Sequence, residues 1–360
     1  MAHAKIIDII ARAAQLGSSD VHVCVGIRPR IRIDSRLVDS EFDVVTDADI
    51  QAWAQEIVPP ERFQKFLVEK ELDFSFGHPD IGRFRVNAFF QRGSLGLAIR
   101  ILPNKMWQFA DIGLPPLLMQ DLASAPTGMV LLTGATGSGK TTSIASMINF
   151  IIKTRQCHIV TVEDPIEFVF KHDKATIHQR EVGADTHSFG AALKHVLRQD
   201  PDVILVGEMR DLETIEMALI AAETGHLVFT TLHTSDTVQT INRIIDVFPE
   251  HKQQQVRTQL SFVVNAVVSQ RLIPHAGGKG RALAAEIMIA TPAIRSMVRE
   301  QKIHQIYSLL QTGMKEGMKT FNQSLADLYH EKKITIEEAM NNTNSPDELA
   351  RLTGIAGKKK

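Results

Sequence analysis

One short segment limits the possible folds more than any other. Gly134-Ala135-Thr136-Gly137-Ser138-Gly139-Lys140-Thr141 completes the pattern G-x-x-x-x-G-K-[ST]. The apolar run Met129–Leu132 supplies a strand before it, and Thr142 to Ile152 supplies a helix after it. In a strand–turn–helix of this kind, glycines let backbone N–H groups turn inward around a phosphate. The helix N-terminus adds favourable dipole charge. Lys140 is placed to reach β- and γ-phosphates, and the Thr141 hydroxyl to ligate Mg²⁺. Residues 134–141 with Thr142 are therefore the expected cradle for ATP and its metal.

The surrounding pattern extends this unit into a sheet. Met129–Thr133, His158–Val162, Val203–Gly207 and Leu227–Thr231 are apolar runs without clean alternation. Strands buried on both faces read this way, which predicts a parallel α/β sheet covered by helices. Ligands of such sheets lie beyond the C-terminal ends of the strands, and two acids fall there. Glu163, at the head of Glu163-Asp164-Pro165-Ile166-Glu167, is assigned to polarise water. Glu208, after Val203–Gly207, is assigned to the Mg²⁺ shell, usually through water. A Glu after Gly207 departs from the usual Asp, and Asp202 stands at the wrong end of its strand to compensate. Asp164 and Glu167 fit an Asp-Pro turn as well as a catalytic role. His226 and His233 bracket Leu227–Leu232, outside any metal-binding spacing, and both are expected to sense the γ-phosphate.

The 360 residues suit two or three domains. Residues 1–102 read as a small α+β domain, with strands in Val21–Val25, Ile31–Ile33 and Phe84–Phe90 and helices over Ile6–Leu16 and Ile50–Leu67. A linker is expected over 103–118, the ATPase core over 119–291, and a helical region over 292–360. Cys24 and Cys157 are too few for a disulfide framework or a four-cysteine zinc site. No signal peptide and no run near the ~20 apolar residues of a membrane span is evident, which predicts a cytoplasmic chain. The net charge of −1 gives no support to a nucleic-acid coat. Lys358-Lys359-Lys360 reads as a solvated end.

Together these motifs resemble those of the bacterial secretion ATPases. The matching segments are the phosphate loop, Val162–Glu167, Val206-Gly207-Glu208-Met209-Arg210-Asp211, and Glu223-Thr224-Gly225-His226 running on to Thr231-Leu232-His233-Thr234. Ser19-Asp20-Val21-His22 and Gly82-Arg83-Phe84-Arg85-Val86-Asn87 also fit, so the likeness covers nearly the whole chain. Ala293 to Glu300 is similar to a motif of the branch that retracts type IV pili, departing mildly at Ser296, Met297 and Val298. The shortness of the chain and the absence of a zinc insert also favour that branch over assembly.

The resemblance implies a PAS-like N-terminal domain, a RecA-like ATPase domain and a helical C-terminal region, assembled as a homohexamer. It implies a retraction motor for twitching, acting on an inner-membrane platform protein at the cytoplasmic face, possibly beside other pilus ATPases. It also implies that arginines complete the nucleotide pocket: Arg83, Arg85 and Arg100 from the first domain and Arg271 from the ATPase domain. An accessory retraction paralogue and an assembly or type II secretion ATPase are the nearest alternatives. A RecA-like nucleic-acid motor and a nucleotide-gated regulator without turnover are further ones.

Overall fold

Phe84, Val86 and Ala88 are fully buried while Arg85 between them is exposed, the period-two pattern of a strand with one dry face. The computed structural model describes residues 5–33, 36–102 and 105–355; Lys358-Lys359-Lys360 lie outside them. The chain divides into two units, one taking Met1–Lys105 with Pro165–Val169 and the other Met106–Asp164 with Phe170–Lys360. In the first unit, β1 (Asp20–Cys24), β2 (Arg30–Ile33), β3 (Arg36–Asp39), β4 (Glu71–His78), β5 (Gly82–Gln91) and β6 (Ser94–Ile101) pair throughout in antiparallel fashion. Their order is β3-β2-β1-β6-β5-β4. Helices α1 (Ile6–Gln15), α2 (Asp47–Ile57) and α3 (Pro60–Glu69) join Ile6, Ile10, Ile50 and Phe66 to Phe84 and Val86 in one core. Each such fully buried side chain contributes about 1.5–3 kcal/mol.

The single helix expected over 50–67 is two helices, α2 and α3. Pro59 pushes Val58 into an extended conformation (φ −78°, ψ 130°), and Pro60 opens the next helix, where a missing N–H does no harm.

The stretch read as linker is also structured in its second half. Helix α4 (Phe109–Ile112) ends at Gly113, whose φ of 84° is left-handed, and Pro116 starts α5 (Pro116–Ser124). The second unit then alternates: β7 (Gly128–Thr133), α6 (Lys140–Thr154), β8 (His158–Glu163), β9 (Thr176–Glu181), α7 (Phe189–Val196), β10 (Val203–Val206), α8 (Leu212–Glu223) and β11 (Leu227–Leu232). Helices α9 (Thr237–Asp246) and α10 (Glu250–Val263) follow, then β12 (Val264–Pro274) and β13 (Arg281–Ile289). The sheet runs β13-β12-β7-β11-β10-β8-β9, parallel except for β13. Every residue of β7, β10 and β11 is buried, as the unbroken apolar runs require.

The C-terminal helices α11 (Pro292–Arg299), α12 (Ile306–Thr312), α13 (Phe321–His330), α14 (Ile336–Asn342) and α15 (Pro346–Thr353) complete the unit. Phe321, Leu325 and Leu328 pack with Ile273 and Ala284 of β12 and β13. Ile294 and Val298 of α11 join the main core. Arg295, read as part of a solvated basic edge, is instead a staple. Its guanidinium donates to the Ala290 carbonyl at 2.9 Å and to the Ser261 and Phe262 carbonyls at 2.8 and 2.7 Å, closing the last turn of α10.

Candidate active site

The phosphate loop joins β7 to α6, and its backbone explains its glycines. Gly134, Gly137 and Gly139 have φ of 138°, 78° and 93°. A Cβ at Gly134 would stand 2.3 Å from the Gln270 carbonyl oxygen and 2.6 Å from Ser138 Oγ, so no side chain fits there. No side chain caps the first turn of α6, which leaves its N–H groups for an anion. The buried Lys140 ammonium donates to the Gly134 and Ala135 carbonyls at 2.7 and 3.0 Å, so the loop holds its own cation. Ser138 Oγ is buried without a hydrogen-bond partner. An unmet buried hydroxyl, a cation and uncapped N–H groups in one turn fit a phosphate chain.

The acids lie at the same end of the sheet. Glu163 closes β8, is 6% exposed, and accepts from Thr161 Oγ1 at 2.7 Å and Gln179 Nε2 at 3.1 Å. These donors orient the carboxylate, and the sequence gave no hint of them because Gln179 belongs to the unforeseen edge strand β9. Glu208, two residues beyond β10, forms ion pairs with Arg210 and with His233, whose Nε2 lies 3.2 Å away. Arg210 was not foreseen as a partner, although it lies two residues on in the same motif. Gly207 lets these strands close up: a Cβ there would lie 3.3 Å from Glu163 Cα. Thr231 donates to the Gly207 carbonyl at 2.6 Å. Thr141 and Glu208 offer the hard oxygens that Mg²⁺ prefers, and so fit that ion.

Two expectations are corrected within this unit. His226 precedes β11, whereas His233 follows it, and β11 runs parallel to β7. His226 is therefore at the N-terminal end of the sheet, about 20 Å of extended chain from the phosphate-loop end. Its Nδ1 meets the Ala221 carbonyl at 2.8 Å, closing the end of α8, and it is not a γ-phosphate sensor. Arg271 is displaced by the alternation of β12. Gln270 and Leu272 face the loop side: Gln270 Nε2 donates to Ser143 Oγ at 2.7 Å, and Leu272 lies under Gly139. Arg271 points the other way, donating to the Asn342 carbonyl at 2.6 Å and stacking over Phe321. The right segment carried the wrong residue, and period two separates them.

The arginines of the first unit occupy the wet face of its sheet. Register places Ser75, Arg85, Arg100, Asp20 and Arg32 side by side across five strands. Arg85 is exposed. Arg100 Nε donates to Asp20 at 3.0 Å while staying 65% exposed. Burial alone would raise the Asp20 pKa, but hydrogen bonds from Ser19 and Arg100 hold it below its ordinary value. Arg83 is committed locally, donating to Ser75 Oγ at 2.8 Å and to the Ile166 carbonyl at 2.9 Å.

A profile described as "Type II/IV secretion system protein" matches residues 72–341. The chain belongs to that family. This secretion-family chain is 44% identical to a Pseudomonas aeruginosa protein named type IV pilus retractation ATPase PilT, over 95% of its own length and 99% of the relative. It is 49% identical to a Neisseria gonorrhoeae protein named twitching motility protein, over 78% of its own length and 75% of the relative. A solved structure described as the pilus retraction motor PilT with bound ADP superposes with a TM-score of 0.91. Its identity is 49%, with 97% of this chain and 100% of that one covered. The fold of a PAS-like domain and a RecA-like ATPase domain with a helical C-terminal region is that of this family.

Proposed function

We propose that this protein is a Mg²⁺-dependent ATPase whose hexamer powers the retraction of type IV pili. One observation carries the reading: the phosphate cradle, Glu163, Glu208 and His233 meet at one end of a single sheet. They do so in a chain related along nearly its whole length to proteins bearing the retraction name. The loop N–H groups and Lys140 bind and orient the phosphates. Bound Mg²⁺, held through Thr141 and Glu208, supplies charge neutralisation on the phosphate oxygens. Glu163, held by Thr161 and Gln179, takes the position of a base that orients water. His233 hydrogen-bonds Glu208, so it is placed to register the state of the transferring phosphate. Arg85 and Arg100 are the arginines offered to the phosphate charge, and Arg83 orients the segment after Glu163. The inner-membrane platform protein at the pilus base is the assigned partner, at the cytoplasmic face.

Phosphate release by Glu163→Gln tests the chemistry. The amide keeps the hydrogen-bond shape but cannot take a proton, so turnover falls about 10²–10⁴-fold while ADP affinity stays within two-fold. Equal rates for wild type and variant would overturn the assignment. In cells, loss of the protein leaves surface pili and abolishes twitching; absent pili would mean assembly instead.

A further inference from the structure

The loop that follows His233 leads into α9, and the first turn of α9 rests on a carboxylate that no part of the hydrolytic site uses. Glu286 sits in the middle of β13 and is 3% exposed. Its Oε1 accepts from the Thr237 backbone N–H at 2.9 Å and from Thr237 Oγ1 at 2.7 Å. Thr237 is the first residue of α9. The same carboxylate is hydrogen-bonded by the backbone N–H of Phe321, the first residue of α13. One buried anion thus lies between the positive ends of two helices. One helix leaves the His233 loop; the other belongs to the C-terminal layer that packs on β12 and β13.

The setting makes this a junction. Ser269 pairs with Glu286 across the strands and with Thr133, the last residue of β7, on its other side. Ser269 Oγ and Thr133 Oγ1 are 2.7 Å apart, and Thr240 of α9 hydrogen-bonds Thr234, the residue after His233, at 2.7 Å. Burial pushes the Glu286 carboxyl above its ordinary range, and the Thr237 and Phe321 hydrogen bonds pull it back. A costly buried charge is therefore held by the two helix ends it joins.

We propose that Glu286 is a positioning residue that ties the His233 loop to the C-terminal helices, so that nucleotide at the phosphate loop alters the first turn of α13. The inference rests on nucleotide binding at that loop and not on hydrolysis. Spatial continuity alone does not establish coupling, so the test must measure it.

The test is amide hydrogen exchange on the full chain, with and without ADP, in wild type and Glu286→Gln. The amide offers one acceptor oxygen, which serves Thr237, and its NH₂ then faces the Phe321 N–H donor. In wild type, ADP changes exchange at 321–324 by three-fold or more. In Glu286→Gln, exchange there quickens at least ten-fold and no longer responds to ADP, while ADP affinity stays within two-fold. The turnover number falls with KM for ATP unchanged, a split that simple loss of stability does not produce. Thr237→Ala, which keeps the backbone donor, gives the same change at smaller size and decides the matter if Glu286→Gln does not fold. An ADP response at 321–324 that survives in the variant that folds would overturn the proposal, as would its absence in wild type that binds ADP. Wild type that fails to bind ADP would overturn the functional reading instead.

Discussion

Two histidines seven positions apart carry different duties because a strand separates them. His233 touches Glu208, and its replacement by Ala should lower turnover by about 10²–10³-fold, the scale of losing an oriented donor beside developing charge. His226→Ala should remove one hydrogen bond to the end of α8, costing about 0.5–1.5 kcal/mol of stability, with turnover within two-fold. Steady-state kinetics with thermal melting separates the two outcomes. Sequence alone could place both residues at strand ends. It could not say which end faces the ligand without the parallel register of β11 on β7, although the position of each relative to Leu227–Leu232 was already enough to order them. Glu163, Glu208 and Lys140 were legible because chemistry fixes their spacing from a strand. Thr161, Gln179, Arg210 and Glu286 were not, because their roles depend on partners brought close only by the fold.

At the scale of elements, β12 shows how alternation assigns duty. Arg271 braces α13 and α14, so Arg271→Ala should destabilise the protein by about 1–3 kcal/mol through a lost hydrogen bond and ring contact, with KM for ATP unchanged. A several-fold rise in KM would return Arg271 to the nucleotide. The α12–α13–α15 contact carries its own pH dependence. Burial would raise the Glu348 pKa, but hydrogen bonds from Tyr307, Gln311 and Asn322 hold it below 4.5. A depressed carboxylate pKa stabilises the fold above the unfolded value and loses that contribution as pH falls through the folded one. Glu348→Gln should therefore melt below wild type at pH 7, and the gap should close as pH drops beneath 4.5. The parallel core strands were readable as apolar runs, whereas β9 was hidden by its exposed, polar outer residues and β13 by an alanine-rich run without strand formers.

For the whole molecule, the balanced charge argues for a protein partner. Added single- or double-stranded DNA should leave the ATPase rate unchanged, and several-fold stimulation would favour a nucleic-acid motor. Native mass measurement with nucleotide should give six copies; a monomer would remove any role for an arginine supplied by a neighbour. No helix among the described residues is long and apolar enough to cross a membrane, which leaves the output to surfaces such as α11. The antiparallel turn from β12 to β13 decides where that surface lies. Ser269 and Glu286 are level with the end of β7, but Ile289 has run back to pair with Ala266, and α11 starts just beyond it. Fuel and output thus occupy opposite ends of one sheet. A small molecule that grips α11 would not compete with ATP: it would lower the maximal rate and leave the substrate's half-saturation point where it was, so screens based on nucleotide displacement would miss it.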